Sequence, residues 1–194
     1  LGREYCTGGR YIAKDVARAL GIKLYDKELI TMAAKNSGLS EEAVAASEKR
    51  HTHSLLYSLY TMGNDLPLGD QVFILQSRII KQLADEGPCV IVGRCADVIL
   101  KDYHPLNLFV YANAESKIQR CIDRAPEGEH LSRNDIARRM KQVDKNRAQY
   151  RQMFADSKWG AKETYHLCVN TSGHQIKDLI PGLAAFVRCW YGEK

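Results

Sequence analysis

Apolar residues recur at helical spacing near the start of the chain, at Ile12, Ala13, Val16, Ala17 and Leu20. Positions three and four apart share one helix face, so the pattern predicts a helix over 10–20. Gly21 comes directly after this run, and helices commonly end at a glycine in the left-handed conformation, so the helix is expected to end there. The run IKLY, 22–25, predicts a short strand, and a second helix is expected after Asp26, which stands at its cap position.

The middle of the chain is predicted to contain two further helices and a buried strand. Ser40 can cap a third helix, and Gly, Asn, Asp and Pro break the period over 51–68, which we therefore expect to be mobile. A long helix is predicted over 70–86. After a Gly-Pro turn, the run CVIVG, 89–93, is typical of a buried parallel strand.

The last part of the chain continues the alternation. NLFVYA, 107–112, predicts a strand with a helix after it. Ser132 and Asp135 form a capping box at the start of a long basic helix. HLCVN, 166–170, predicts the last strand, before an amphipathic helix that we expect to be interrupted at Pro181.

Alternating strands and helices predict a three-layer α/β/α fold with a central parallel sheet. The length of 194 residues suits one sizeable core, and 45% hydrophobic with 26% charged residues is ordinary for a globular protein. We therefore predict a single domain.

The formal net charge is +5, and basic residues are concentrated over 133–152. This run predicts one anion-binding face, although a solvated helix surface accounts for many such runs. Nucleic acid is an alternative partner, because its phosphates attract Lys and Arg.

The cysteines form no C-x-x-C pair, and several lie in apolar runs, as expected of buried free thiols in a reducing cytosol. They are Cys6, Cys89, Cys95, Cys121, Cys168 and Cys189. No apolar stretch approaches the ~20 residues that span a bilayer, and the first residues lack a signal-peptide pattern. We predict a cytoplasmic protein without a membrane partner.

The segment CTGGRYIA, 6–13, contains part of a phosphate-binding loop of the type G-x-x-x-x-G-K-[ST]. Such loops point backbone N–H groups and a helix N-terminus at phosphate, and their lysine reaches the terminal phosphates. Thr7, Gly8 and Gly9 supply the backbone, but Gly9 stands where the lysine is expected. A tight turn before a helix is the alternative interpretation.

Three runs together resemble, in order and spacing, the cytidylate kinase-like family of nucleoside monophosphate kinases. They are GGRYIAKDVARALGIKLYDKELI, GPCVIVGRCADVIL and DKNRAQYRQMF…KWG…YHLCVNTS. The resemblance covers nearly the whole chain, leaving out chiefly 51–68. It implies a P-loop kinase-like fold with an acceptor-side insertion at about 38–68 and a lid at about 126–160. It also implies transfer of the γ-phosphoryl group of ATP, with Mg²⁺, to a nucleoside monophosphate, CMP or dCMP being the leading candidate.

The family's Asp, Gly-Arg and lid Asp-x-x-Arg are matched by Asp26, Gly93-Arg94 and Asp144-x-x-Arg147. Two features depart from its pattern. Lys27-Glu28 replace a Ser-Gly pair, and Cys95 replaces an Asp that helps to read the base. The phosphate-binding arginines are therefore kept, whereas the acceptor base stays open.

Phosphoryl transfer requires mainly positioning and neutralisation of charge. Arg94, at the end of a strand, is predicted to hold the acceptor's α-phosphate through two hydrogen bonds. A structural ion pair with Asp26 or Asp97 is the alternative. Arg147 is predicted to move onto the phosphates as a lid closes, and its alternative is a surface pair with Asp144.

Arg10, Lys14 or Lys145 could replace the missing lysine, and Arg10 is favoured because it starts the helix that faces the phosphates. The predicted catalytic residues are Arg10, Arg94 and Arg147. The predicted ATP-binding residues are Thr7, Gly8, Gly9, Arg10 and Lys14. The predicted acceptor-binding residues are Asp26, Arg94, Asp97, Asp144 and Arg147. Asp26 is also the predicted Mg²⁺ ligand, and it could instead only cap its helix.

Two other functions stay open. A nucleotide-binding or regulatory module that has lost catalysis is favoured by the missing lysine. Binding of nucleic acid through the basic helix is weaker, because no recognised nucleic-acid module accompanies the charge. The oligomeric state is left undetermined.

Overall fold

A computed structural model of the protein describes residues 1–26, 28–37, 42, 68–126 and 132–192. The predicted helix after Ser40, the segment expected to be mobile and most of the predicted acceptor-side insertion lie outside the described residues. The same holds for 127–131 of the predicted lid.

Five short parallel strands form the centre of the fold. They are β1 (Gly2–Arg3), β2 (Lys23–Tyr25), β3 (Cys89–Ile91), β4 (Leu108–Tyr111) and β5 (Leu167–Asn170). Strand β2 pairs with β3, β1 pairs with β4, and β4 pairs with β5. Leu1 joins the two groups, because its nitrogen donates to the carbonyl of Ile91 (2.8 Å) and its carbonyl accepts from the N–H of Gly93 (3.0 Å).

These contacts give the strand order β2-β3-β1-β4-β5. The order reverses at β1, whose neighbours β3 and β4 both come later in the chain. In open α/β sheets the crevice at such a reversal, outside the carboxyl ends of the strands, is where ligands bind. The predicted central parallel sheet is therefore confirmed, and the loop after β1 lies at its switch point.

The structure gives the bounds of seven α-helices among the described residues. They are α1 (Gly9–Leu20), α2 (Glu28–Ser37), α3 (Leu68–Asp85), α4 (Ala96–Ile99), α5 (Ala114–Ile122), α6 (Arg133–Phe154) and α7 (Ile176–Trp190). Ser132 caps α6 as its sequence predicts, since its side chain accepts from the N–H of Asp135 (3.1 Å).

Two buried clusters cover the sheet and give the predicted three-layer architecture. One joins α2, α3, α4 and β3, with Leu29, Ile79, Ile80, Leu83 and Ile91 among its members. The other joins α1, α7, β4 and β5 through Ile12, Val16, Val110, Val169 and Leu183. The apolar face of α1 is thus buried, and burial fixes the N-terminus of this helix beside the loop that follows β1.

The predicted interruption of the last helix is wrong, because α7 continues through Pro181. Proline removes one backbone hydrogen bond and is costly inside a helix. Leu183 and Ala184, directly after it, are buried, and Leu183 belongs to the cluster shared with α1. Tertiary packing therefore outweighs the local preference to break.

The prediction that every cysteine is a free thiol is wrong for two of them. Cys6, in the loop after β1, and Cys121, in α5, form a disulfide across 115 residues of sequence. The remaining cysteines are free: Cys95 is buried, Cys89 and Cys168 are half-buried, and Cys189 is exposed. Disulfides are rare in the cytosol, so the cysteines no longer support the cytoplasmic prediction.

No helix in the part of the chain that the structure describes is long and apolar enough to cross a bilayer.

Candidate active site

The loop between β1 and α1 presents backbone N–H groups to a cavity. Two of its residues are left-handed, Cys6 with φ 57° and Gly8 with φ 81°. Among the described residues, none accepts a hydrogen bond from the backbone N–H groups of residues 6–10. Successive free N–H groups at a helix N-terminus form an anion-binding site. The loop therefore has the geometry of a phosphate cradle.

Glycine is required at position 8 for two reasons. A positive φ is unfavourable for other residues, and a Cβ built at Gly8 would collide with the side chain of Ile176 in α7. The collision lies on the side facing α7. Substitution here would therefore disturb packing, so loss of nucleotide binding in such a variant would not by itself locate a phosphate.

Hydrogen bonds from inside the protein hold the loop in shape. The buried Thr7 donates its hydroxyl proton to the carbonyl of Glu4 (2.9 Å), and its own carbonyl accepts from the hydroxyl of Thr171 (2.8 Å). The N–H of Tyr5 donates to the carboxylate of Asp144 in α6 (2.7 Å). The side chains of Thr7 and Asp144 thus support the loop.

A cavity of about 770 Å³ lies along this loop, a size typical of small-molecule sites. Its lining includes six arginines and three carboxylates: Arg3, Arg10, Arg94, Arg124, Arg147 and Arg151, with Glu4, Asp26 and Asp97. Positive charge is therefore in excess, and the cavity is suited to a ligand with several negative charges.

Arg94 follows β3 in an unusual backbone turn. Gly93, Arg94 and Cys95 are all left-handed, with φ values of 78°, 60° and 51°. For residues other than glycine this conformation costs about 1–3 kcal/mol each and is concentrated at functional sites. The turn places Arg94 in the cavity lining at the carboxyl end of β3.

The carboxylates proposed as structural partners of Arg94 contact other arginines. Asp97 pairs with Arg151 (2.7 Å), which is buried and also donates to Ser157. Asp26 pairs with Arg10 (2.6 Å). The Asp97–Arg151 pair connects α4 to the end of α6, and both residues line the cavity.

Asp26 is buried at the end of β2 and joins two arginines. Besides Arg10, its carboxylate contacts Arg3 at 3.8 Å. Helix α2 begins at Glu28, whose carboxylate accepts from the N–H of Asp26 (2.9 Å). The carboxylate of Asp26 therefore orients arginines, where the sequence suggested a helix cap.

Arg3 is one of the cavity residues that sequence reasoning missed. It belongs to the two-residue strand β1, and no motif singled it out. Its side chain lies beside Gly9, Gly93 and Asp26. Burial first, and then the nearby Arg147, lower the pKa of Arg3 to about 10, so that it keeps its charge at neutral pH.

Arg147 in α6 contacts the strand that precedes the loop. It donates to the carbonyl of Arg3 (3.1 Å) and lies 3.4 Å from Asp144. Both side chains are half-buried, and burial lowers the pKa of Arg147, so their pair is not a surface pair. Lys14 and Lys145 are exposed and do not line the cavity.

The model of the cytidylate kinase-like family matches residues 1–173. The chain belongs to this family. No curated protein matches it by sequence. Among solved structures it is similar to an uncharacterised protein from Eubacterium ventriosum, with 26% identity, 96% and 94% of the two chains covered, and a TM-score of 0.71. Shikimate kinase from Bacteroides thetaiotaomicron shares the fold, with 12% identity, 96% of each chain covered and a TM-score of 0.54.

The fold is thus that of P-loop kinases, and membership of the cytidylate kinase-like family confirms the resemblance seen in the motifs. Cys95, which follows Arg94 in the chain, is buried. Burial, and then the nearby Asp97, raise the pKa of the Cys95 thiol to about 12. A neutral thiol is a weaker hydrogen-bond acceptor than a carboxylate.

The predicted Mg²⁺ ligand, Asp26, is one of three carboxylates in the cavity lining. Each carboxylate in the cavity lining is paired with a basic side chain: Glu4 with Lys117 (2.8 Å), Asp26 with Arg10 and Asp97 with Arg151. No group of three metal-ligating side chains occurs in the described ranges. The loop and the arginines of the lining are suited to phosphate groups.

Proposed function

We propose that the protein transfers the γ-phosphoryl group of ATP to a nucleoside monophosphate, CMP or dCMP being the leading candidates. The observation that carries this proposal is that one cavity joins a loop of free N–H groups to Arg94 and Arg147. A donor and an acceptor that both carry phosphate would each find positive groups there.

The proposed donor binds with its phosphates on the loop. Backbone N–H groups of residues 6–10 and the N-terminus of α1 would hold the phosphate oxygens. Mg²⁺, in this proposal, arrives with the ATP phosphates, because the cavity carboxylates are engaged with basic side chains. It would add neutralising charge to the phosphates.

The proposed acceptor binds with its phosphate on Arg94. A phosphate oxygen of the acceptor attacks the γ-phosphorus, the bond to the β,γ-bridging oxygen breaks, and ADP leaves. Negative charge shifts onto oxygens that Arg94, Arg10 and Arg147 are placed to stabilise. Asp26 keeps Arg10 oriented during this transfer.

Two alternatives have support of different strength. A nucleotide-binding module without catalysis is favoured by Gly9 at the lysine position. Nucleic-acid binding is weakened by internal pairing along α6, because Arg133 pairs with Glu115, Arg138 with Asp135, and Arg151 with Asp97. The cytoplasmic location stays a prediction, which the pool of ATP and monophosphates in that compartment favours.

Calorimetry with two nucleotides tests the proposal, because a kinase must hold donor and acceptor together. The protein is first saturated with a non-hydrolysable ATP analogue, and each nucleoside monophosphate is then titrated. We expect one monophosphate to bind at one molecule per chain without displacing the analogue. Competition between the two, or no binding of any monophosphate, would contradict a two-substrate cavity.

A further inference from the structure

Position 9, where a P-loop carries its lysine, has no room for a side chain. A Cβ built on Gly9 would lie 2.7 Å from the Cβ of Arg3 and 3.3 Å from the Cβ of Val110. The first distance is shorter than real Cβ contacts, and both neighbours belong to strands of the central sheet. The stem of Arg3 therefore fills the space that a side chain at position 9 would need.

The guanidinium of Arg3 lies between the loop and the crevice. A Cβ built on Gly93 would collide with its Nη1 atom, so the group rests against bare backbone at the end of β3. Its Nη2 atom is 3.8 Å from the carboxylate of Asp26 at the end of β2. The charge thus lies between the loop after β1 and the carboxyl ends of β2 and β3.

The surroundings of Arg3 are short of negative charge. Burial lowers the pKa of Arg3 most, Arg147, Arg94 and Arg10 lower it further, and Asp26 opposes them. Asp26 is itself shared with Arg10 at 2.6 Å. A buried cation in such surroundings is stabilised by an anion bound beside it.

We propose that Arg3 supplies the positive charge that this loop lacks at position 9, and that it binds the terminal phosphates of the donor nucleotide. This role rests on the proposed function, because it requires a nucleoside triphosphate on the loop. Arg10, the replacement that the sequence favoured, has a half-exposed side chain held by Asp26, so in this proposal it contacts the phosphates from the outer edge of the site and Arg3 contacts them from inside.

The chemistry of the side chain suits this role. A guanidinium has five N–H donors in a plane and can contact oxygens of two neighbouring phosphates at once. Its backbone is fixed by the sheet and by the hydrogen bond from Arg147 to its carbonyl. The charge is thus positioned before the nucleotide binds.

Affinities for ATP, ADP and AMP, measured by calorimetry beside the melting temperature, test the role of Arg3. Arg3→Met keeps much of the stem and removes the charge, Arg3→Lys keeps a charge, and Arg138→Met is the control. Arg138 is an exposed arginine whose pair with Asp135 lies outside the cavity. We expect Arg3→Met to weaken ATP binding roughly 10- to 100-fold with little effect on AMP, and Arg3→Lys to restore part of the loss.

If Arg3→Met loses affinity for ATP and for AMP equally, Arg3 only supports the loop. The same conclusion follows if the variant has a lower melting temperature and an unchanged ratio of the two affinities. If the unaltered protein binds ATP tightly and Arg3→Met binds it equally well, the proposed role of Arg3 is wrong and the proposed function still stands. If the unaltered protein binds no triphosphate, the proposed function fails and this role fails with it.

Discussion

Replacing Arg94 with alanine is expected to lower kcat/KM for the acceptor by roughly a hundredfold or more. The left-handed turn after β3 places this arginine in the cavity, and a lost charge-assisted contact to phosphate commonly costs a few kcal/mol. ATP affinity and the melting temperature should change little. Acceptor kinetics, ATP calorimetry and thermal unfolding on this one variant check the three expectations.

Arg138→Ala is the matched control for Arg94→Ala. It removes an exposed arginine of α6 whose ion-pair partner in the described part of the chain is Asp135, so kinetics and stability should both stay within error. If Arg94→Ala instead lowers the melting temperature sharply and reduces donor and acceptor binding equally, Arg94 is a structural residue. The acceptor phosphate would then need another partner.

Removing the disulfide is expected to lower the free energy of unfolding by about 2–4 kcal/mol. Cys121→Ser breaks a link that closes 115 residues of sequence and ties the phosphate loop to α5. Denaturant unfolding without reductant measures the loss, and the unaltered protein in reductant should behave like the variant. Cys189→Ser, at an exposed free cysteine, should unfold like the unaltered protein.

Thiol titration under denaturing, non-reducing conditions gives an independent check of the same link. The structure leaves four cysteines free, so four thiols should react before reduction, and all six of the chain after it. Six reactive thiols before reduction, with unfolding insensitive to reductant, would show that Cys6 and Cys121 are not joined in solution.

Local patterns predicted the helices and strands because burial and capping act at short range. The apolar stripe of α1 packs on α7 and the sheet, and Ser132 caps α6, so both were visible as spacing along the chain. Pro181 gave a wrong prediction of a helix break. The burial of Leu183 stabilises the helix there, and it depends on residues far away in sequence.

The candidate site could be predicted only in part for a related reason. The glycines of the loop and Arg94 lie in motifs, and the structure places both in one cavity. Arg3 and the Cys6–Cys121 link are defined by contacts between distant segments, so no spacing reveals them. Lys14, by contrast, lies in the right helix but on its exposed face.

Transfer of labelled phosphate tests the central claim most directly. The protein, Mg²⁺ and ATP carrying an isotopic label in its γ-phosphate are incubated with each nucleoside monophosphate in turn, and the labelled products are separated. If the protein transfers the phosphoryl group, label appears in the diphosphate of at least one acceptor, and CMP and dCMP are the leading candidates. Arg94→Ala should lose that labelled product. Label that stays in ATP, or appears only as inorganic phosphate with every acceptor although ATP binds, would contradict the account.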